Sequence, residues 1–131
     1  MAGKKIVMAI DDNLQQLSEF MTILGERYEL RVVKSASEAI ALLNRSISDI
    51  ILLDIEMPNI SGFEFLKDIK RIPSYINVPV IVVSGNSGKE FFDQARAGGA
   101  EAVLTKPVKA DTLILTIEKV LSEQQGSGGQ K

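Results

Sequence analysis

The segment IILLDIEMPNISGFEFL, residues 50–66, sets the reading of the chain. Four apolar residues, Ile50–Leu53, run without interruption into Asp54. A continuous apolar run of this length reads as a strand covered on both faces, as in parallel sheets. Further on, Ser61 and Glu64 stand at the head of a segment that carries Phe63, Leu66 and Ile69 at helical intervals. Their spacing is that of a capping box, in which each side chain satisfies the other residue's free backbone N–H. The unit is therefore a strand, an acidic strand end, a loop and a helix.

The same unit recurs on both sides. Ile6–Ile10, Leu30–Val33, Val80–Val83 and Ala102–Leu104 are the other short apolar runs. Helical spacing follows each: Leu14, Leu17, Met21 and Leu24; then Ala39, Ile40 and Leu43 within Ala36–Arg45; then Phe91, Phe92 and Ala95; then Ile114, Ile117, Val120 and Leu121. Ser35 with Glu38 and Ser87 with Glu90 repeat the capping spacing, and Asp111 is the candidate cap of the last helix. Gly98-Gly99 offers a left-handed stop to the fourth. Strand and helix alternate five times. Right-handed crossovers then give a doubly wound α/β sandwich of three layers. The domain is expected over residues 1–123. The tail 124–131, QQGSGGQK, is Gly/Ser-rich without apolar anchors and is expected to be disordered.

Composition narrows the function. A chain of 131 residues suits one domain, and at that size roughly two-thirds of the unfolded surface is hidden on folding. Cysteine and histidine are both absent. That removes disulfides, thiolate and imidazole metal sites, and the serine- and cysteine-type triads. The 15 Lys+Arg and 17 Asp+Glu leave a net charge of −2 and form no basic stripe longer than Lys4-Lys5 or Lys70-Arg71. Direct nucleic-acid binding is not expected, because it draws on clustered cations. No apolar run approaches the about 18 residues that cross a bilayer, and Ile6–Ile10 is too short for a secretory signal. A cytoplasmic domain without membrane insertion is the expectation.

In open parallel sheets, ligands bind outside the carboxyl ends of the strands. Those ends carry Asp11-Asp12, Lys34-Ser35, Asp54, Ser84-Gly85 and Thr105-Lys106-Pro107. Three carboxylates, a hydroxyl and an ammonium thus converge on one edge. Two carboxylates about 4 Å apart repel by roughly 4 kcal/mol at an effective dielectric of 20. Three together take up protons or hold a cation. Oxygen ligands alone favour a hard ion such as Mg²⁺. Lys106 neutralises the remaining charge or reaches a phosphoryl group, and Ser84 donates a hydrogen bond to the same oxygens. Such a set suits phosphoryl transfer, with Asp54 as the nucleophile.

These pieces resemble the receiver domain of two-component response regulators, of the single-domain chemotaxis type. The resemblance covers about residues 4–122 and rests on IVMAIDDN (6–13), ILLDIEMPNISGFEFL (51–66), VIVVSGN (80–86) and AVLTKP (102–107). It implies a flavodoxin-like (βα)5 fold with strand order 2-1-3-4-5. It also implies Asp54 as phosphoacceptor, Asp12 as a direct Mg²⁺ ligand and Asp11 as one acting through water. The Glu56 backbone carbonyl is implied as a further ligand, Ser84 as the switch hydroxyl and Lys106 as the partner of the phosphoryl group. A cis Lys106–Pro107 bond is implied, and Gly62 stands where the family usually has glycine. A histidine kinase or phosphotransfer protein would be the donor and a downstream protein the target. The chain would catalyse only its own phosphorylation and dephosphorylation. Nine residues follow Ser122, too few for a folded output domain. Val103 departs from the family, which commonly has Tyr or Phe three residues before the lysine; Val108, directly after Lys106-Pro107, stands where the family commonly has Phe.

Each residue also has a plainer reading. Asp11-Asp12 can cap a helix, Ser84-Gly85 can be a turn, and Lys106 can be a solvated strand end. Phe63, Phe65, Phe91 and Phe92 read as core or partner-face residues. Asp54 resists this treatment, since an acid ending an apolar run carries a desolvation cost. The order acid pair, acid, hydroxyl, lysine along one edge favours the joint reading. A receiver-like interaction domain that is never phosphorylated is the alternative, and Val103 is the feature in its favour. A flavin binder is disfavoured by Asp11-Asp12 where a phosphate loop would sit. A haloacid-type phosphohydrolase is disfavoured by Asp11-x-Asn13 in place of Asp-x-Asp.

Overall fold

The computed structural model describes residues 3–57, 61–86 and 88–129, the last five of these by backbone alone. Strands β1 (Ile6–Ile10), β2 (Glu29–Val33), β3 (Ile50–Asp54), β4 (Val80–Ser84) and β5 (Ala102–Thr105) alternate with helices. The helices are α1 (Leu14–Leu24), α2 (Ala36–Arg45), α3 (Gly62–Arg71), α4 (Lys89–Ala97) and α5 (Ala110–Gly129). All pairings are parallel and the order is β2-β1-β3-β4-β5, so the expected α/β sandwich is the observed one. Three central strands are buried almost throughout, as their unbroken apolar runs require, whereas β2 and β5 lie at the edges and are partly exposed.

Strand alternation sorts the core into two layers. Met8, Ile10, Ile51, Leu53, Val80 and Val82 face one side, where α2, α3 and α4 contribute Ala39, Leu43, Phe65, Leu66, Ile69 and Ala95. Val7, Ala9, Ile50, Leu52, Ile81 and Val83 face the other, under Leu17, Phe20 and Leu24 of α1 and Leu113, Ile117 and Val120 of α5. Two expected positions on α1 are corrected. Leu14 and Met21 are 64% and 53% exposed, and Phe20 takes the buried place between Leu17 and Leu24. A helix laid on a sheet buries a narrow stripe, and Leu14 and Met21, two turns apart on its flank, fall outside it.

The caps follow the sequence in part. Ser35 and Ser61 accept the N–H groups of Glu38 and Glu64 at 3.2 and 3.3 Å. The Glu38 carboxylate reaches back to the Lys34 N–H. Ser87 lies outside the described residues, and α4 has Gly88 at its N-cap without a side-chain cap. Asp111 sits in the first turn of α5, where its charge complements the helix dipole; it is not the cap. Gly98 ends α4, Gly99 is left-handed at φ 111°, and the N–H groups of Gly99 and Ala100 return to Arg96 and Ala95, a Schellman stop. Residues 124–129, expected to be disordered, continue α5 as helix. Extending a helix already anchored by Leu113, Ile117 and Val120 fixes one residue per added hydrogen bond, so the segment can follow despite its composition. Residues 130 and 131 of the expected tail lie outside the described residues.

A short 3₁₀ turn, Pro73–Tyr75, leads toward β4 and was not expected. Its Tyr75 is fully buried, donates to the Ser46 carbonyl at 2.7 Å and accepts the Ser48 N–H at 3.1 Å. Phe63 and Phe91 meet edge to face at 5.4 Å between α3 and α4, while Phe65 is core. Among the described residues no helix is long and apolar enough to cross a membrane.

Candidate functional site

The carboxyl ends of β1, β3, β4 and β5 lie side by side, and the register sets Asp54 beside Val83 and Ser84 beside Thr105. Asp11 follows β1 and is held inward because its N–H continues the ladder to the Val33 carbonyl. It is 1% exposed, and Asp54, the last residue of β3, is 4% exposed. Asp12 stays at the surface. One carboxylate oxygen from each of Asp11, Asp12 and Asp54 falls within 4.8 Å of the others.

Each buried carboxylate has one oxygen tied and one left for the site. Asp11 Oδ1 accepts the Asn13 N–H at 2.9 Å, and Asp54 Oδ1 accepts the Glu56 N–H at 3.0 Å. The Lys106 ammonium lies 3.5 Å from Asp11 Oδ2 and 3.6 Å from Asp54 Oδ2. These separations give charge attraction without a hydrogen bond, and Asp11 Oδ2 is buried with no hydrogen-bond partner. Burial pushes the Asp11 carboxyl up to about 6; the nearby Asp54 charge adds to this, while the Asn13 N–H and Lys106 oppose it. A buried oxygen lacking a donor, next to two further carboxylates, fits a divalent cation.

Ser84 is fully buried; its hydroxyl accepts the Asn86 N–H and its carbonyl accepts the Lys106 N–H at 2.7 Å. The Lys106–Pro107 peptide is cis. Asp11, Asp12, Asp54 and Lys106 thus share one locale, with Ser84 on the neighbouring strand end. Glu56 contributes its N–H to Asp54, and its exposed side chain turns to the Gly85 N–H at 2.9 Å.

Two features of the site escaped sequence reasoning. The cap of α1 is Asn13, whose Oδ1 accepts the Gln16 N–H; the spacing Asn13…Gln16 is itself a capping signature and would have freed Asp11 and Asp12 from that role. The Glu56–Gly85 contact spans 29 residues and has no local sequence signal. Gly62 is required by close approach: a Cβ there would lie 2.1 Å from the Ile55 carbonyl oxygen. The first turn of α3 therefore presses on the chain just beyond Asp54.

The response regulator receiver domain family matches residues 7–118. The polar-differentiation response regulator DivK of Brucella ovis is 32% identical over 120 residues, 91% of this chain and 98% of the relative. A CheY-like response regulator receiver domain protein from Methanospirillum hungatei has a similar structure at 27% identity, with a TM-score of 0.88 and coverage of 95% of this chain and 99% of that one. The Vibrio cholerae chemotaxis protein CheY4 is similar at 28% identity, with a TM-score of 0.84 over 90% and 99% of the two chains. With a family match over most of its length and a relative aligned nearly end to end, the chain belongs to the response regulator receiver domain family.

Proposed function

We propose that the chain is a cytoplasmic phosphoacceptor that takes a phosphoryl group onto Asp54. The observation that carries this reading is the division of labour in that carboxylate. Oδ1 is tied to the Glu56 N–H, while Oδ2 faces Lys106 beside Asp11. A nucleophile so oriented needs little reorganisation before attack.

In the proposed step, Asp54 Oδ2 attacks phosphorus. The O–P bond forms as the P–N bond of a phosphohistidine breaks, and the electron pair leaves with the imidazole. The chain has no histidine, so the donor is another protein, a histidine kinase or a phosphotransfer protein. Lys106 neutralises charge on the phosphoryl oxygens, and the Ser84 hydroxyl rotates to donate to one of them. Mg²⁺, held by Asp11, Asp12, Asp54 and the Glu56 carbonyl, supplies the remaining charge neutralisation when bound. Attack of water on phosphorus later releases phosphate and restores Asp54. Contacts made only in the phosphorylated state favour one of two conformations and pass the signal to a protein target.

The test is labelling by acetyl phosphate with Mg²⁺. The wild-type chain takes up one phosphoryl group, labile as an acyl phosphate, and Asp54→Asn takes up none. Equal labelling of the variant overturns the assignment.

A further inference from the structure

Glu56 faces the site with its backbone and away from it with its side chain. Its N–H donates to Asp54 Oδ1 at 3.0 Å, whereas its carboxylate crosses to the loop after β4 and accepts the Gly85 N–H at 2.9 Å. Among the described residues this is the side-chain hydrogen bond that joins the loop after β3 to the loop after β4. Gly85 directly follows Ser84, so its N–H stands on the rim beside the hydroxyl assigned to the phosphoryl group. Both Glu56 and Gly85 are exposed, and the carboxylate can leave for water without opening the core.

A phosphoryl group on Asp54 changes the balance at this rim. It replaces the single negative charge of the carboxylate with up to two, and it brings three acceptor oxygens two residues before Glu56. The Glu56 carboxylate is then repelled, and the Gly85 N–H, which needs an acceptor, has a phosphoryl oxygen to take. We infer that the Glu56 carboxylate is a resting-state latch on Gly85, displaced when Asp54 is phosphorylated, so that the Gly85 N–H passes to the phosphoryl group. The inference rests on the phosphoacceptor reading. Glu56 is a positioning residue in this scheme, acting through Gly85. Its release frees the loop that leads into α4, and its resting hold opposes phosphorylation.

The experiment uses the ¹⁵N-labelled full chain at saturating Mg²⁺, with beryllofluoride as the phosphoryl mimic, in wild-type, Glu56→Ala and Glu56→Gln forms. In the resting chain, Glu56→Ala moves the Gly85 amide resonance and speeds its hydrogen exchange about tenfold, the scale set by one hydrogen bond to a charged group. Glu56→Gln keeps an acceptor and retains most of that protection. Glu56→Ala half-saturates at a beryllofluoride concentration about tenfold below wild type, with Glu56→Gln between them. At saturation the Gly85 amide converges to one position in all three. A wild type that binds beryllofluoride while both variants match it in half-saturation and in the Gly85 amide overturns the latch alone. A wild type that shows no Asp54-dependent response overturns the phosphoacceptor reading and the displacement step with it. The resting Gly85 amide still decides whether the latch exists.

Discussion

Asp11 is the residue on which burial and charge act most strongly against each other. Its carboxyl ordinarily titrates at 3.8 and is pushed up to about 6 by burial, with the Asp54 charge adding to the effect. The folded chain therefore binds a proton more tightly than the unfolded chain between those values. Stability from this group is fully present below pH 3.8 and is lost as pH rises through 6. Above pH 7 the ionised Asp11 costs the metal-free fold up to about 3 kcal/mol. Asp11→Asn should accordingly raise metal-free stability in urea by up to about that amount at pH 7.5 and by little at pH 4. A variant less stable than wild type at pH 7.5 would contradict the account. The same residue shows what the sequence discloses at this scale. Asp11, Asp54 and Lys106 were legible because each ends an apolar run, and topology gathers strand ends on one edge. The direction of the Glu56 side chain was not legible, since an exposed glutamate two residues past a strand has many solvated alternatives.

At the scale of elements, the positions of the strands were readable and the faces of the helices less so. Apolar runs located all the strands to within a residue at either end; those of β1, β3 and β4 are unbroken because strands buried on both faces tolerate no polar interruption, whereas the edge strand β2 admits Arg31. The stripe on α1 shifted from Leu14 and Met21 to Phe20, since periodicity alone does not say which of several overlapping stripes meets the sheet. Tyr75 went unrecognised because a tyrosine in a Pro-led turn carries no periodic signal, although it closes the hydrogen bonds of Ser46 and Ser48. The junction of α3 with the Asp54 loop is the element most exposed to a single change. Gly62→Ala places a methyl group 2.1 Å from the Ile55 carbonyl, and the helix or the loop must retreat. The expected outcome is a loss of about 2–3 kcal/mol in chemical denaturation, with slower labelling of Asp54 in the fraction that stays folded. Unchanged stability would show that α3 has room to shift.

For the whole molecule, the proposed function would make folding and cation binding a single equilibrium, through the three acidic groups gathered at one edge. A cation held by the native carboxylates and not by the unfolded chain stabilises the fold by mass action. Mg²⁺ at a hundredfold excess over its dissociation constant should contribute about 2.7 kcal/mol and raise the melting temperature by about 10 °C, reversibly with EDTA. Asp12→Asn should lose most of that rise, because Asp12 is the exposed member of the set and adds little to the core. A wild-type melt indifferent to Mg²⁺ would remove the metal from the proposed function.

Those melts and the titrations beside them meet one constraint that lies in the fold. The chain has two tyrosines and no tryptophan. Tyr28 directly precedes β2 and Tyr75 precedes β4, so both phenols sit where parallel strands begin, at the rim opposite the carboxylates. Native ultraviolet emission therefore registers collapse of the packing around them and stays dark to events at Asp54. An optical readout of ion or phosphoryl occupancy has to be built in, with an indole introduced on the loops that the Glu56 carboxylate bridges.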